Sequence, residues 1–245
     1  MGKKIRAQRK GRGSSTFKAS THKRVAESSY PNIKELKKSK LMKGIVEDLI
    51  HDPGRGAPLA KIELANSKTF FSVAVESLAI GQEVLIGPDA PINIGNILPL
   101  GNIPSGTIVN NIELKPGDGG KIAKASGSYA TIVAETAKGI IVKLPSGTSS
   151  ILDKMCKATI GIVSASGRAS KPFLKAGKKA TWMKAKGHAY PVTRGVAMIP
   201  AVHPHGGGSH KSKSLKPTSI SRQAPPGQKV GHIAPRQSGR KKRKR

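Results

Sequence analysis

His203, His205 and His210 fall in the stretch AMIPAVHPHGGGSH (197–210), and they are the side chains of this chain best suited to chemistry. An imidazole held beside a polyanion can shuttle a proton or make a hydrogen bond. A catalytic base also needs a third group to orient it. No carboxylate is near in sequence, because after Asp153 the chain contains no Asp or Glu. The competing reading has His203 and His205 packing against a nucleic acid, in a loop shaped by Pro204, Gly206, Gly207 and Gly208. A zinc site is a third reading. The three imidazoles supply nitrogens, but no Cys or carboxylate completes the set and the spacing fits no standard site.

Other stretches offer less. KPGDGGKIAKASGSYA (115–130) brings glycines beside Lys121 and Lys124, which suits close approach to a phosphate. The GxxxxGK[ST] spacing of a nucleotide-binding loop is absent. HDPGRGAP (51–58) frames Arg55 with glycines, which either expose its guanidinium or simply shape a turn. Glu47, Asp48 and Asp52 are the densest carboxylates. Alternation along a strand sends Glu47 and Asp48 to opposite faces, so they read as solvated acids rather than a metal-dependent nuclease site. Phe70 and Phe71 read as strand residues with at least one in the core. Phe173, Trp182 and Tyr190 could stack on splayed bases. With only eight aromatic residues in 245, a dedicated single-strand binder is not expected.

The elements that must position these groups follow the charge. The chain carries a net charge of +31, and it is unevenly spread. Residues 1–40 hold 13 Lys and Arg against 2 acids, residues 41–153 hold 9 against 11, and residues 154–245 hold 22 against none. A near-neutral middle between two basic arms is the layout of a folded body with polyanion-binding extensions. The candidate contacts on the N-terminal arm are Lys3, Lys4, Arg6, Arg9, Lys10 and Arg12. Beyond the middle they are Arg168, Lys178, Lys179, Lys184, Lys186, Arg194, Arg222, Lys229, Arg236 and Arg240. The arms lack the apolar face of an interfacial helix. Cys156 is the only cysteine, which excludes an intrachain disulfide and a cysteine zinc cluster. No stretch reaches the roughly 20 apolar residues of a membrane-spanning helix. MGKKIRAQRKGRG has no apolar run after its charges, so a secretory signal is not expected.

Short β-branched runs between turn signals predict strands in 44–51, 59–65, 69–75, 83–87, 107–114, 129–136, 139–145 and 158–164. The Pro- and Gly-rich 87–106 reads as a linker or irregular edge. A short helix is expected over 33–42, and helical patterns are otherwise nearly absent. The fold class is therefore all-β, with two small barrels at 41–97 and 98–180, a basic extension over 1–40 and another over 181–245. Residues 187–213 hold too little apolar surface to fold alone and should order on a partner.

Together these segments resemble one family. HDPGRGAPLAKI, NIGNILPLGNIPSGTIVNNIE, KPGDGGKIAKASGSYA, KPFLKAGKK, RGVAM, HPHGGG and APPGQKVGHIAPRQSGR look like large-subunit ribosomal protein two, and GKKIRAQRKG looks like its eukaryotic or archaeal branch. The match runs in order over nearly the whole chain and is weaker at 24–40 and 148–157. The resemblance implies an OB-fold barrel followed by an SH3-like barrel, with extensions threading into large-subunit rRNA. It implies a structural role near the peptidyl transferase region and in subunit association, with no catalysis by the protein. It also implies neighbouring ribosomal proteins and the small subunit as partners, no homo-oligomer, and no cofactor beyond ions bridging to rRNA. The expected location is the cytoplasmic ribosome, with nucleolar assembly in a eukaryote. Carried over by motif, Arg194, Gly195, Met198, His203, Gly206, Gly207 and Gly208 form a deep rRNA loop, and Lys121 and Lys124 contact rRNA. Ile199 and Val202 depart from the pattern, since an Asn and an acid usually stand there. Val202 cannot orient His203, which weakens any catalytic role for it. A general basic nucleic-acid or chromatin protein is the alternative, and it predicts equal binding to duplex DNA and rRNA.

Overall fold

A computed structural model of the chain describes residues 3–31, 41–208 and 218–237. It divides into two compact units, Thr21–Pro172 on one hand and Met1–Ser20 with Phe173–Arg245 on the other.

The first unit is all-β. Its strands are β1 (Met42–Ile50), β2 (Leu59–Leu64), β3 (Thr69–Val73), β4 (Glu83–Ile86), β5 (Ile97–Pro99), β6 (Ile108–Asn110), β7 (Ala130–Thr136), β8 (Gly139–Lys143), β9 (Ser149–Leu152) and β10 (Lys157–Ile160). They pair in the order β3-β2-β1-β4-β5-β10-β6-β7-β8-β9. All neighbours are antiparallel except β4 and β5, which meet in parallel at Ile86 and Ile97. Alternation drives the burial. In β2, Ala60, Ile62 and Leu64 enter one core while Glu63 faces solvent.

Two hydrophobic cores result. Val46, Ile62, Leu64, Phe70, Val84, Ile86 and Ile97 form one. Leu98, Leu100, Val109, Ile112, Ile132, Ile140, Val142 and Ile160 form the other. The junction is β5, where successive side chains leave opposite faces. Ile97 enters the first core and Leu98 the second. Each such side chain contributes about 1.5–3 kcal/mol on burial.

Several strands were hidden in the sequence. β5 lies within 87–106, which reads as a linker because its three residues sit among Pro and Gly. β9 lacks an apolar run, since only Leu152 of its four residues is buried. A β-bulge between Val46 and Asp48 breaks the alternation that should separate Glu47 from Asp48. Both are exposed as a result. Glu47 pairs with Lys61 at 2.7 Å, and Asp48 Oδ1 accepts from the Leu49 N–H. The helix expected over 33–42 falls largely on residues outside those described, and Met42 begins β1.

The second unit is built differently. Its described elements include α1 (Arg6–Gly11), α2 (Ala176–Ala185), and a two-residue parallel pair, β11 (Ser219–Ile220) with β12 (His232–Ile233). Ile5 is its one buried hydrophobic residue among the described residues. Backbone hydrogen bonds hold its turns instead. The Lys3 N–H donates to the Ala201 carbonyl at 2.7 Å, and Arg6 Nη2 donates to the Pro191 carbonyl at 3.3 Å. Helix α2 departs from the sparse-helix reading. Its sequence AGKKATWMKA has no apolar stripe, and Ala, Lys and Met favour a helix by propensity alone. No helix among the described residues is long and apolar enough to cross a membrane.

Candidate nucleic-acid interface

A fully buried carboxylate shapes the Gly-rich loop after β6. Glu113 accepts from the Gly119 N–H on one oxygen at 3.2 Å. Its other oxygen accepts from the N–H groups of Gly117 at 3.2 Å and Lys157 at 2.9 Å. Lys157 Nζ lies 3.8 Å away and donates to the Pro31 carbonyl at 3.1 Å. Burial lowers the Lys157 pKa, and the charge of Glu113 opposes that. Asp118 closes the loop by accepting from the Leu114, Lys115 and Gly120 N–H groups. Gly120 has φ +90°, and a Cβ there would sit 2.6 Å from the Asn111 carbonyl oxygen, so only glycine fits without strain.

Segment 24–31 crosses this loop. The Ser29 N–H donates to the Phe71 carbonyl and the Tyr30 N–H to the Gly119 carbonyl. Tyr30 is buried, with its hydroxyl 2.6 Å from Thr159 Oγ1. Burial drives the Tyr30 pKa well above its ordinary value, so the phenol stays neutral.

Cations gather around the segment. Lys124 Nζ donates to the Ser28 carbonyl at 2.7 Å and the Gly120 carbonyl at 3.0 Å. Its pKa is pushed down to about 8, first by burial and then by the charges of Arg55 and Lys121. Asp52 is fully buried and accepts from Gly54 N–H and Arg55 Nε, while Arg55 Nη2 donates to the Ala26 carbonyl. The Arg24 side chain lies directly against Gly54. Arg168 Nε donates to Ser126 Oγ at 3.2 Å, and its guanidinium lies against Gly56. Arg24, Lys121 and Arg168 are exposed and free to meet a phosphate, whereas Arg55 and Lys124 spend hydrogen bonds on backbone.

The sequence pointed to Arg55, Lys121, Lys124 and Arg168, and all four fall in this cluster. It missed Arg24, whose only signal was the Lys23-Arg24 pair. Asp52, grouped with the solvated acids, is instead the buried counter-charge of Arg55. The buried roles of Glu113 and Lys157 left no local signal.

The second unit presents its cations mostly on irregular backbone. Lys3, Lys4, Arg9, Lys10, Arg12, Lys178, Lys184, Arg194, Arg222 and Arg236 are exposed, and Arg6, Lys179, Lys186 and Lys229 are half-buried. Arg9 and Lys10 occupy the last turn of α1, which suits the helix dipole. Arg240 and His210 lie outside the described residues. The expected aromatic platforms have protein neighbours. Trp182 has Phe173 at 5.5 Å and Lys186 Nζ at 3.9 Å, and Lys179 Nζ lies 5.5 Å from the Tyr190 ring.

In the histidine loop, the His205 N–H donates to His203 Nδ1 at 3.0 Å, and the rings stand 5.1 Å apart. The His203 ring lies against Gly195, and Gly206 lies against the Met198 carbonyl. The Gly207 N–H donates to that same carbonyl at 3.1 Å. Gly208 is exposed with φ +84°. Nδ1 of His203 thus meets a backbone donor, where a catalytic relay would place an acceptor. Among the described residues no three His, Cys, Asp or Glu are placed to hold a metal ion. Cys156 is buried, and desolvation, then Glu113 and Asp153, push its thiol up to about 11.

An all-β body with cations gathered in Gly-rich loops, joined to basic arms of which the C-terminal one has no acid, is the build of a nucleic-acid-binding protein. Two family descriptions match the chain. "Ribosomal Proteins L2, RNA binding N-terminal domain" covers residues 1–86, and "Ribosomal Proteins L2, C-terminal domain" covers residues 93–224. The chain belongs to the ribosomal protein L2 family. It is 47% identical over 244 residues to large ribosomal subunit protein uL2 of Korarchaeum cryptofilum, covering 100% of this chain and 98% of the relative. It is 49% identical over 244 residues to the uL2 protein of Hyperthermus butylicus, covering 99% and 100%. Against the uL2 protein of Methanococcus vannielii it is 47% identical over 241 residues, covering 98% and 100%.

Proposed function

We propose that this chain is a structural constituent of the large ribosomal subunit that binds rRNA without catalysing a reaction. The observation that carries the reading is the cluster of Arg24, Arg55, Lys121, Lys124 and Arg168 around segment 24–31. Asp52 answers the charge of Arg55, and a phosphate backbone supplies counter-charge to the exposed Arg24, Lys121 and Arg168. The glycines at 54 and 56 leave room for the Arg24 and Arg168 side chains to lie against the loop, which holds these cations in the cluster.

The division of labour follows the charge. The bodies at 41–97 and 98–180 position the cluster, and the arms at 1–40 and 181–245 follow rRNA. The two cores, split at Ile97 and Leu98, support that division. The arm contacts are Lys3, Lys4, Arg6, Arg9, Lys10, Arg12, Lys178, Lys179, Lys184, Lys186, Arg194, Arg222, Lys229, Arg236 and Arg240. The loop of Gly195, Met198, His203, His205 and Gly206–Gly208 shapes RNA near the peptidyl transferase region. The His203 ring accepts from the His205 backbone N–H, which suits packing rather than proton transfer. Neighbouring ribosomal proteins and the small subunit are the remaining partners, and assembly would be nucleolar in a cell with a nucleus.

The test replaces Lys121 and Arg168 together by Glu and measures binding of the full chain to large-subunit rRNA. Both are exposed, so the fold should survive. Affinity should fall at least tenfold at moderate salt, with a shallower salt dependence. Unchanged affinity and unchanged salt slope would remove the cluster from the interface.

A further inference from the structure

A recess of about 330 Å³ opens on the outer side of the second core. Its walls include Tyr129, Thr131, Lys143 and Pro145, with Gly127 and Gly147 at its ends. The strand register explains why these side chains meet. Ala130 and Ile132 are buried, so Tyr129 and Thr131 leave the opposite face. Thr131 pairs directly with Lys143 on β8, which brings the ammonium-bearing stem alongside. Tyr129 is 46% exposed, a large aromatic facing solvent.

The walls are held in place before any ligand arrives. The Gly127 N–H donates to the Val163 carbonyl at 3.0 Å, and Ser128 Oγ donates to the Ala125 carbonyl at 2.7 Å. On the other side, Leu144 and Thr148 bond across the turn at 2.8 Å, and the Gly147 N–H donates to the Leu144 carbonyl at 2.9 Å. No carboxylate lines the recess. It also continues the cationic cluster, because Ser126, the partner of Arg168, is one residue from Gly127.

We propose that this recess is a binding site for a single unstacked nucleotide of the RNA, with its base on the Tyr129 ring and its phosphate at Lys143. The proposal rests on the RNA-binding reading above and deepens it. The chemistry selects this occupant. An aromatic face takes any base, a lysine takes the phosphate, and Thr131 with the glycine backbones offers polar edges. The same site is too polar and shallow for an acyl chain.

The test uses the full chain bound to large-subunit rRNA and to a short oligoadenylate. Ultraviolet crosslinking followed by peptide mass spectrometry should place a nucleotide on Tyr129 in the wild-type complex. Tyr129→Ala should weaken oligoadenylate binding about 5- to 150-fold, the range for losing one base–aromatic stack, while Tyr129→Phe should bind nearly as the wild type. Lys143→Gln should weaken binding and reduce its salt dependence. If Tyr129→Ala fails to fold, the wild-type crosslink decides. Wild-type rRNA binding with no crosslink at Tyr129 would overturn the recess and leave the wider reading standing. Equal oligoadenylate binding by Tyr129→Ala would do the same. No rRNA binding by the wild type would overturn both.

Discussion

Glu113 does at residue scale what a ligand would otherwise have to do. Its two oxygens take three backbone N–H groups and face one buried ammonium, and this fixes the Gly-rich loop in the free chain. Glu113→Gln keeps the volume but removes the charge that Lys157 faces. It should cost roughly 3 kcal/mol, by the cost of breaking a buried pair. Urea unfolding checks this, and adding Lys157→Met should recover part of the loss. Lys124 makes the second residue-scale prediction. Its pKa near 8 reflects burial plus Arg55 and Lys121, opposed by Glu27 and Asp118. A polyanion beside it favours the charged form and raises that pKa. Near pH 8 the free chain is partly deprotonated there, so binding must take up a proton, and affinity must fall as pH rises through 8 and beyond. Calorimetry in two buffers of different ionisation heat should show net proton uptake at pH 8 and little at pH 6. Proton release at pH 8 would contradict the assignment.

At element scale, the loops rather than the strands decide what the surface can do. Gly120→Ala tests this, because the new Cβ meets the Asn111 carbonyl at a positive φ. It should cost about 1–3 kcal/mol and displace Lys121 and Lys124, lowering rRNA affinity as well. Gly106→Ala is the control. Gly106 has a similar φ of +88° but open space around it, so stability should fall less and rRNA affinity should hold. What the sequence revealed also divides by element. Strands with β-branched runs, such as ATIVAET in β7, were legible because the sheet buries alternate side chains. β5 was not, since only its tertiary position makes Ile97 and Leu98 core residues. Helix α2 was not, because propensity without an apolar stripe leaves no period to read. The cations at 55, 121, 124 and 168 were legible as residues in Gly-rich loops. Their meeting around segment 24–31 was not, because it depends on backbone carbonyls at 26 and 28 that no side-chain pattern reports.

At the scale of the whole molecule, the two units use different physics. Thr21–Pro172 holds itself together through two apolar cores. The unit of the two arms has almost no buried apolar surface among its described residues, and relies on backbone hydrogen bonds in turns. After Asp153 there is no carboxylate to offset its charge. Such a unit gains most when phosphates surround it, and an acid placed there would repel its surroundings. The same absence bears on His203, whose Nδ1 accepts from the His205 backbone N–H. A structural constituent of the large ribosomal subunit built this way should hold its RNA in a salt-sensitive manner. Gradient sedimentation of a lysate, with the endogenous protein followed by immunoblot, tests it most directly. The protein should co-migrate with the large subunit at moderate salt and leave it only at high salt. Finding the protein solely in fractions free of RNA would contradict it.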